Sequence, residues 1–169
     1  SQRAYMLKSV EDMVRTHRDE PYLLLWILGN ENDLAQYTHT KAFQQKEAFA
    51  RFVNEAALLI KKLDKRHPVA LCLGGNSYAM FSELSQFVPD VDIFGINLYR
   101  DNGFSELWAK VADNYDRPVM LTEFGAGQTQ LLDGKLPEVW QAQVHRLAWE
   151  DIVRHRAGRQ RPGNAIGGF

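Results

Sequence analysis

The sequence predicts an α/β fold in which helices alternate with the strands of a parallel sheet. Segments with helical spacing of apolar residues and short apolar runs follow one another along all 169 residues. Several of these runs are apolar without interruption, which is typical of parallel strands that are covered on both faces. The length fits one domain over residues 1–169 with a substantial core.

Helices are predicted from apolar spacing and from the residues at their ends. Apolar side chains lie on one face of residues 5–18 and of a long segment from 40 to 66, and a short helix is expected near 79–88. Ser105 is a suitable N-cap for the next helix. Pro137 fits the first position of the last helix, which bears apolar residues through 153.

Strands are predicted over the apolar runs between these helices. The first runs from 22 to 29, and the second begins at Pro68 and is broken by the glycines after residue 73. The third covers residues 91–99, and the fourth begins at Pro118 and ends at Glu123. Residues 164–169 resemble the start of a fifth strand.

Composition and charge exclude several classes of partner. With 20 basic and 21 acidic residues the formal net charge is −1, and no long run of one sign is present, so neither a nucleic-acid groove nor a membrane surface is predicted. No apolar stretch approaches the roughly 18 residues that span a bilayer. Cys72 is the only cysteine, which excludes an internal disulfide or cysteine zinc site, and its apolar neighbours predict a small buried side chain.

Two of the predicted strands end abruptly in a glutamate. Glu31 follows an apolar run and Asn30, and Glu123 ends the run from Pro118. Charged residues are seldom placed against a core without a partner or a task. Because the carboxyl ends of parallel strands meet at one edge of the sheet, these carboxylates predict a pair for acid–base or nucleophilic chemistry.

The predicted third strand supplies two polar side chains for the same edge. Alternation places Asn97 and Tyr99 on one face of this strand, so both are expected at its carboxyl end. There the phenol could donate a hydrogen bond to a carboxylate and hold its orientation. Asn30, directly before Glu31, could bind a substrate hydroxyl beside that carboxylate.

These segments resemble the C-terminal half of a glycoside hydrolase TIM barrel, from the large retaining clan with catalytic glutamates on strands four and seven. Residues 13–21 leading into 26–31 resemble the approach to its acid/base glutamate, 92–99 its sixth strand, 122–125 its nucleophile strand and 165–169 the start of its eighth strand. The chain is most similar to family 2, the group of β-galactosidases, β-glucuronidases and β-mannosidases. The resemblance implies a barrel truncated at both ends, from strand four to the start of strand eight.

The resemblance also implies a role for each candidate residue. Glu123 would be the nucleophile of a retaining β-glycosidase and Glu31 its general acid and base, with the two carboxyls about 5–5.5 Å apart. Asn30 would bind the sugar 2-hydroxyl, Tyr99 would support Glu123, and Asn97 is expected beside the sugar. The expected partner is a carbohydrate, and neither a cofactor nor a metal is inferred.

Other interpretations share these features. A transglycosylase uses the same mechanism and differs only in whether a sugar or water resolves the intermediate. A non-catalytic α/β carbohydrate-binding module and an open doubly wound sheet with another ligand are further alternatives, although no glycine-rich fingerprint supports the latter. Because four or five strands cannot close an eight-stranded barrel, the chain alone is expected to be inactive or nearly so. Its open edge strands could pair with another copy.

Overall fold

The computed structural model describes residues 1–34, 42, 44–75, 78–115, 117–127, 137–158 and 163–169. Residues 40, 41 and 43 of the predicted second helix lie outside the described residues. The elements run in the order α1 (Gln2–His17), β1 (Trp26–Leu28), α2 (Lys46–Leu63), β2 (Val69–Gly74), α3 (Tyr78–Ser85), β3 (Ile93–Tyr99), α4 (Ser105–Asn114), β4 (Val119–Gly125), α5 (Glu138–Arg154) and β5 (Ala165–Gly168).

All five strands pair in parallel, in the order of the chain, β1-β2-β3-β4-β5. Each pair of neighbouring strands is separated in sequence by a helix, so the predicted α/β class is confirmed. Within the described residues, β1 pairs on one side only, and the outer side of β5 carries only an isolated parallel bridge between Ala165 and Arg156. None of the described helices combines the length and the apolar character needed to cross a bilayer.

The two faces of the sheet differ in what they bury. The face towards the helices carries most of the core, including Leu71, Phe94 and Leu121, which are fully buried. The opposite face carries a small cluster of Ala70, Ile93 and Met120. Phe94 and Ile93 therefore lie on opposite faces, as the predicted alternation of β3 requires.

The first strand is shorter than predicted, because only three residues of the expected 22–29 pair with β2. The ladder begins where the Trp26 amide donates to the Pro68 carbonyl. Tyr22 and Leu24 are 80% and 63% exposed, so burial does not hold that part of the run against the sheet. Trp26 itself is buried and its indole Nε1 donates to Asp64 Oδ2 at 2.9 Å.

The predicted N-cap of α4 is wrong by one residue. Ser105 is the first helical residue, and the cap is Phe104, which makes no side-chain cap bond. A carboxylate from α5 takes over this function: Asp151 Oδ2 accepts from the Phe104 amide at 2.6 Å and from Trp108 Nε1 at 3.1 Å. The free amide at this helix end is thus satisfied by a distant residue, which local sequence does not reveal.

Candidate active site

The five candidate residues lie at the carboxyl-terminal edge of the sheet. Asn30 and Glu31 follow β1, Asn97 and Tyr99 end β3, and Glu123 lies in β4. Asn97 and Glu123 are direct partners in the β3–β4 ladder. Because the strands are parallel and adjacent, the fold brings their polar ends together at one edge.

Tyr99 and Glu123 form the hydrogen bond that the sequence predicted. The phenol oxygen donates to Glu123 Oε2 over 2.7 Å. This bond is the largest of the effects that raise the pKa of Tyr99 to about 12; burial, the Glu123 charge and the Glu31 charge add to it. Tyr99 therefore keeps its proton at neutral pH and remains a donor to the carboxylate.

An irregularity in β4 turns two consecutive side chains towards the same site. Leu121 lies opposite Ile96 and Glu123 lies opposite Asn97, so Thr122 is an extra residue without a partner in the ladder. A regular strand would send residues 122 and 123 to opposite faces. With the bulge, Thr122 Oγ1 reaches Asn97 Oδ1 at 2.7 Å, and Glu123 still reaches Tyr99.

Asn97 is the centre of a polar network beneath the site. It is 3% exposed, and its Nδ2 donates to Asn30 Oδ1 at 3.0 Å while its Oδ1 accepts from Thr122. The Cys72 sulfur lies 3.4 Å from Asn30 Oδ1, 3.2 Å from Asn97 Oδ1 and 3.1 Å from Thr122 Oγ1. Buried polar groups in such a network hold one another in fixed orientations.

Cys72 is buried as predicted, but it does not lie in a purely apolar environment. Its thiol faces Asn30, Asn97 and Thr122. Burial raises the pKa of the Cys72 thiol, and the charges of Glu123 and Glu31 raise it further. The thiol therefore stays protonated and acts as a weak hydrogen-bond donor.

The backbone at Glu31 is held in an unusual conformation. Glu31 has φ +51°, and among the described residues it is the only non-glycine residue with a positive φ. Hydrogen bonds from two backbone N–H groups hold the loop around it. The backbone N–H of Asn30 donates to Asn32 Oδ1 at 3.1 Å, and the backbone N–H of Gly74 in β2 donates to Oδ1 of the buried Asp33 at 2.9 Å. Strain of this kind clusters at functional sites, where surrounding contacts maintain it.

The two carboxylates act on the same two side chains. Glu31 and Glu123 both raise the pKa of Tyr99 and both raise that of Cys72. The two carboxylates thus act on one region at the strand ends between β1 and β4, which we call the cleft. Within the described residues, no group of three or more His, Cys, Asp and Glu side chains is arranged to hold a metal ion.

Sequence reasoning missed Thr122, Cys72 and Gly95 as parts of this site. Thr122 and Cys72 are recognisable only through the contacts that they make across strands. Gly95 lies beside the Thr122 side chain, and a Cβ on this glycine would lie 2.6 Å from Thr122 Cγ2. A glycine inside a strand indicates a close approach of this kind, and that signal was present in the sequence.

Comparison with known proteins gives matches among solved structures only. No protein-family model matches the chain, and no curated protein matches it. The Bacteroides uniformis β-glucuronidase is 21% identical with a TM-score of 0.66, over 96% of this chain and 20% of that protein. The GH2 β-galacturonidase of Eisenbergiella tayi bound to galacturonate is 15% identical with a TM-score of 0.65, over 99% of this chain and 29% of that protein.

A third match is the B. uniformis β-glucuronidase 2 covalently bound to cyclophellitol-6-carboxylate aziridine. It is 19% identical with a TM-score of 0.62, over 96% of this chain and 20% of that protein. The chain therefore spans between about a fifth and a third of the length of these proteins. At such identities the similarity concerns the fold. Nearly the whole chain has the parallel α/β fold of TIM-barrel glycoside hydrolases.

Proposed function

We propose that this chain carries the catalytic pair of a retaining β-glycosidase, with Glu123 as nucleophile and Glu31 as general acid and base. The observation that carries the proposal is the hydrogen bond from Tyr99 to Glu123, together with the effect of Glu31 on the pKa of the same phenol. Two carboxylates at one cleft are what glycoside hydrolysis requires. The solved glycosidases of the same fold support glycoside hydrolysis as the class of reaction.

The first step forms a glycosyl-enzyme ester. A carboxylate oxygen of Glu123 attacks the anomeric carbon, and the carboxyl group of Glu31 transfers its proton to the glycosidic oxygen as the bond to the leaving group breaks. Tyr99 binds Glu123 Oε2 and limits rotation of the carboxylate, which keeps it oriented for attack. Asn30, next to Glu31 in sequence, binds the sugar 2-hydroxyl in this arrangement.

The second step releases the sugar with its anomeric configuration retained. The Glu31 carboxylate takes a proton from water, the water oxygen attacks the anomeric carbon, and the bond to Glu123 breaks. Both carboxylates then return to their starting protonation states. If a sugar hydroxyl replaces the water, the same residues perform transglycosylation.

We also propose that the chain contributes strands four to the start of eight of a family 2 barrel. Two matched structures are β-glucuronidases and one is a GH2 β-galacturonidase, and each extends well beyond the matched region. A closed barrel of this type has eight strands, whereas the described sheet has five. We therefore expect the isolated chain to turn over substrate slowly or not at all, and its edge strands to favour pairing with a second copy.

The nucleophile can be tested by covalent labelling, which needs only the first half of the reaction. The chain is incubated with cyclophellitol-6-carboxylate aziridine, the probe found bound to the B. uniformis β-glucuronidase 2, and the intact mass and the labelled peptide are measured. We expect one adduct at Glu123, none in Glu123→Gln, and slower labelling in Glu31→Gln. Glu150→Gln, which changes an exposed glutamate of α5, is the matched control and should label normally.

An experimental structure tests the same proposal without turnover. We expect the Glu31 and Glu123 carboxyls to be separated by about 5–5.5 Å, as retention requires. In the labelling experiment, an adduct on a residue other than Glu123 would contradict the assignment of the nucleophile. A separation beyond about 10 Å would exclude both stereochemical routes of hydrolysis, and sugar binding by such a chain would favour the non-catalytic module.

A further inference from the structure

We infer that Thr122 is a positioning residue that decides, through Asn97, which end of the Asn30 amide faces the substrate. The inference rests on the proposed function, in which Asn30 binds a sugar hydroxyl beside Glu31. It adds a residue that does not itself touch the sugar. Thr122 acts from the bulge of β4, two hydrogen bonds away from the cleft.

The distances indicate the direction of each bond. Thr122 Oγ1 and Asn97 Oδ1 are 2.7 Å apart, which is the usual separation when a hydroxyl donates to an oxygen and is short for an amide N–H donor. Asn97 Nδ2 and Asn30 Oδ1 are 3.0 Å apart, the usual separation for N–H···O. The carbonyl of Asn97 thus faces Thr122, and its NH₂ group faces Asn30.

The orientation of Asn97 fixes which end of the Asn30 side-chain amide faces the cleft. Its carbonyl oxygen accepts from Asn97 Nδ2 and also lies 3.4 Å from the Cys72 sulfur. An asparagine amide has an acceptor end and a donor end, so binding of the carbonyl into the network leaves the two N–H donors for the cleft. The substrate group bound there must then accept a hydrogen bond, as a hydroxyl oxygen does.

The hydroxyl of Thr122 selects this arrangement over its reverse. Rotating both amides by half a turn would bring the Asn97 NH₂ group to Thr122 and the Asn30 carbonyl to the cleft. In the reverse arrangement Thr122 Oγ1 would have to turn its proton away and accept from the Asn97 NH₂ group. The bonds that Asn97 Oδ1 now accepts from the Thr122 hydroxyl and from the Cys72 thiol would both be lost. Close packing limits movement of Thr122, since its Cγ2 occupies the space where a Cβ on Gly95 would lie.

Two variants separate the hydroxyl from the shape of Thr122. Thr122→Val keeps the volume and removes the hydroxyl, and Thr122→Ser keeps the hydroxyl and removes the methyl group. Thr16→Val is the matched control, because it removes a threonine hydroxyl that binds the Asp12 carbonyl on the exposed face of α1. All variants are first checked for unchanged circular dichroism and thermal unfolding.

The first measurement needs no ligand. Side-chain amide signals are recorded by ¹H–¹⁵N NMR and assigned by their loss in Asn30→Asp and Asn97→Asp. We expect Asn30 and Asn97 each to give one pair of side-chain NH₂ signals, at the same positions in wild type, Thr122→Ser and Thr16→Val. In Thr122→Val we expect the Asn97 and Asn30 signals to shift or double, with faster exchange of the Asn97 amide protons with water.

The second measurement compares labelling by the cyclophellitol aziridine with labelling by its analogue that lacks the 2-hydroxyl. We expect the preference for the hydroxylated probe to fall roughly tenfold in Thr122→Val, the worth of one hydrogen bond, and to recover in Thr122→Ser. Unchanged Asn30 signals in Thr122→Val would overturn the inference. If the signals change but no variant, wild type included, is labelled, the network stands and the proposed function fails.

Discussion

Replacing Glu123 by glutamine should release the unusual titration of Tyr99. In the wild type, Tyr99 has a pKa of about 12 against an ordinary 10.0, and the largest cause is its bond to Glu123. At pH 11 an ordinary tyrosine is about nine-tenths ionised, whereas one with this pKa is about one-tenth ionised. The glutamine side chain carries no charge, so we expect the pKa of Tyr99 to fall by about 1–2 units in Glu123→Gln. Glu31→Gln should lower it much less, because Glu31 is the smallest of the causes.

The titration can be followed by ¹³C NMR with tyrosine labelled at Cζ. The chain has six tyrosines, and the signal lost in Tyr99→Phe identifies the relevant one. Spectra from pH 8 to 11.5 report ionisation of each phenol while the fold is monitored by circular dichroism. The reasoning is refuted if Tyr99 titrates near pH 10 in the wild type, or if Glu31→Gln lowers its pKa as much as Glu123→Gln does.

Further substitutions test the packing at Gly95, the backbone at Glu31 and a buried carboxylate at the opposite edge of the sheet, Asp64. Gly95→Ala should lower the free energy of unfolding by about 1–3 kcal/mol in chemical denaturation, because the new Cβ would lie 2.6 Å from Thr122 Cγ2. Gly125→Ala is the control and should be tolerated, because its Cβ would lie 3.5 Å from the nearest neighbouring atom. Glu31→Gly should be more stable than Glu31→Ala by about 1 kcal/mol, since only glycine adopts φ +51° without strain. Both variants should be labelled slowly, as Glu31→Gln is, and equal melting temperatures would contradict the role of the backbone. Although burial alone would raise the pKa of Asp64, hydrogen bonds from its neighbours hold it well below the ordinary value. The stability that ionised Asp64 contributes is therefore present above about pH 4 and is lost as the pH falls through the folded-state pKa. Asp64→Asn should lower the free energy of unfolding by roughly 2–4 kcal/mol at pH 7. The variant should then lose less stability than the wild type when the pH is lowered.

The order and type of the elements could be predicted because each carries its own local signal. The core-facing residues of α2 and the alternation of β3 appear directly in the apolar pattern. The prediction was less accurate where burial depends on neighbours. The first strand is shorter than its apolar run because β1 pairs on one side only, and the cap of α4 comes from Asp151 in another helix.

The candidate site shows the same division between local and distant information. The placement of Glu31, Glu123 and Tyr99 at one edge could be predicted, because parallel strands bring their carboxyl ends together. The contacts of Thr122 and Cys72 with the site could not be predicted, because they join atoms that are 25 and 42 residues apart in the chain.

By itself, the sequence determined the alternation of helices and parallel strands and the edge at which the polar side chains gather. Both follow from the period of the apolar residues and from the geometry of parallel pairing. Only the tertiary structure decided that Thr122 and Glu123 both face the cleft, because that depends on a one-residue shift between β3 and β4. A register shift is a property of two strands together, so neither strand's sequence records it.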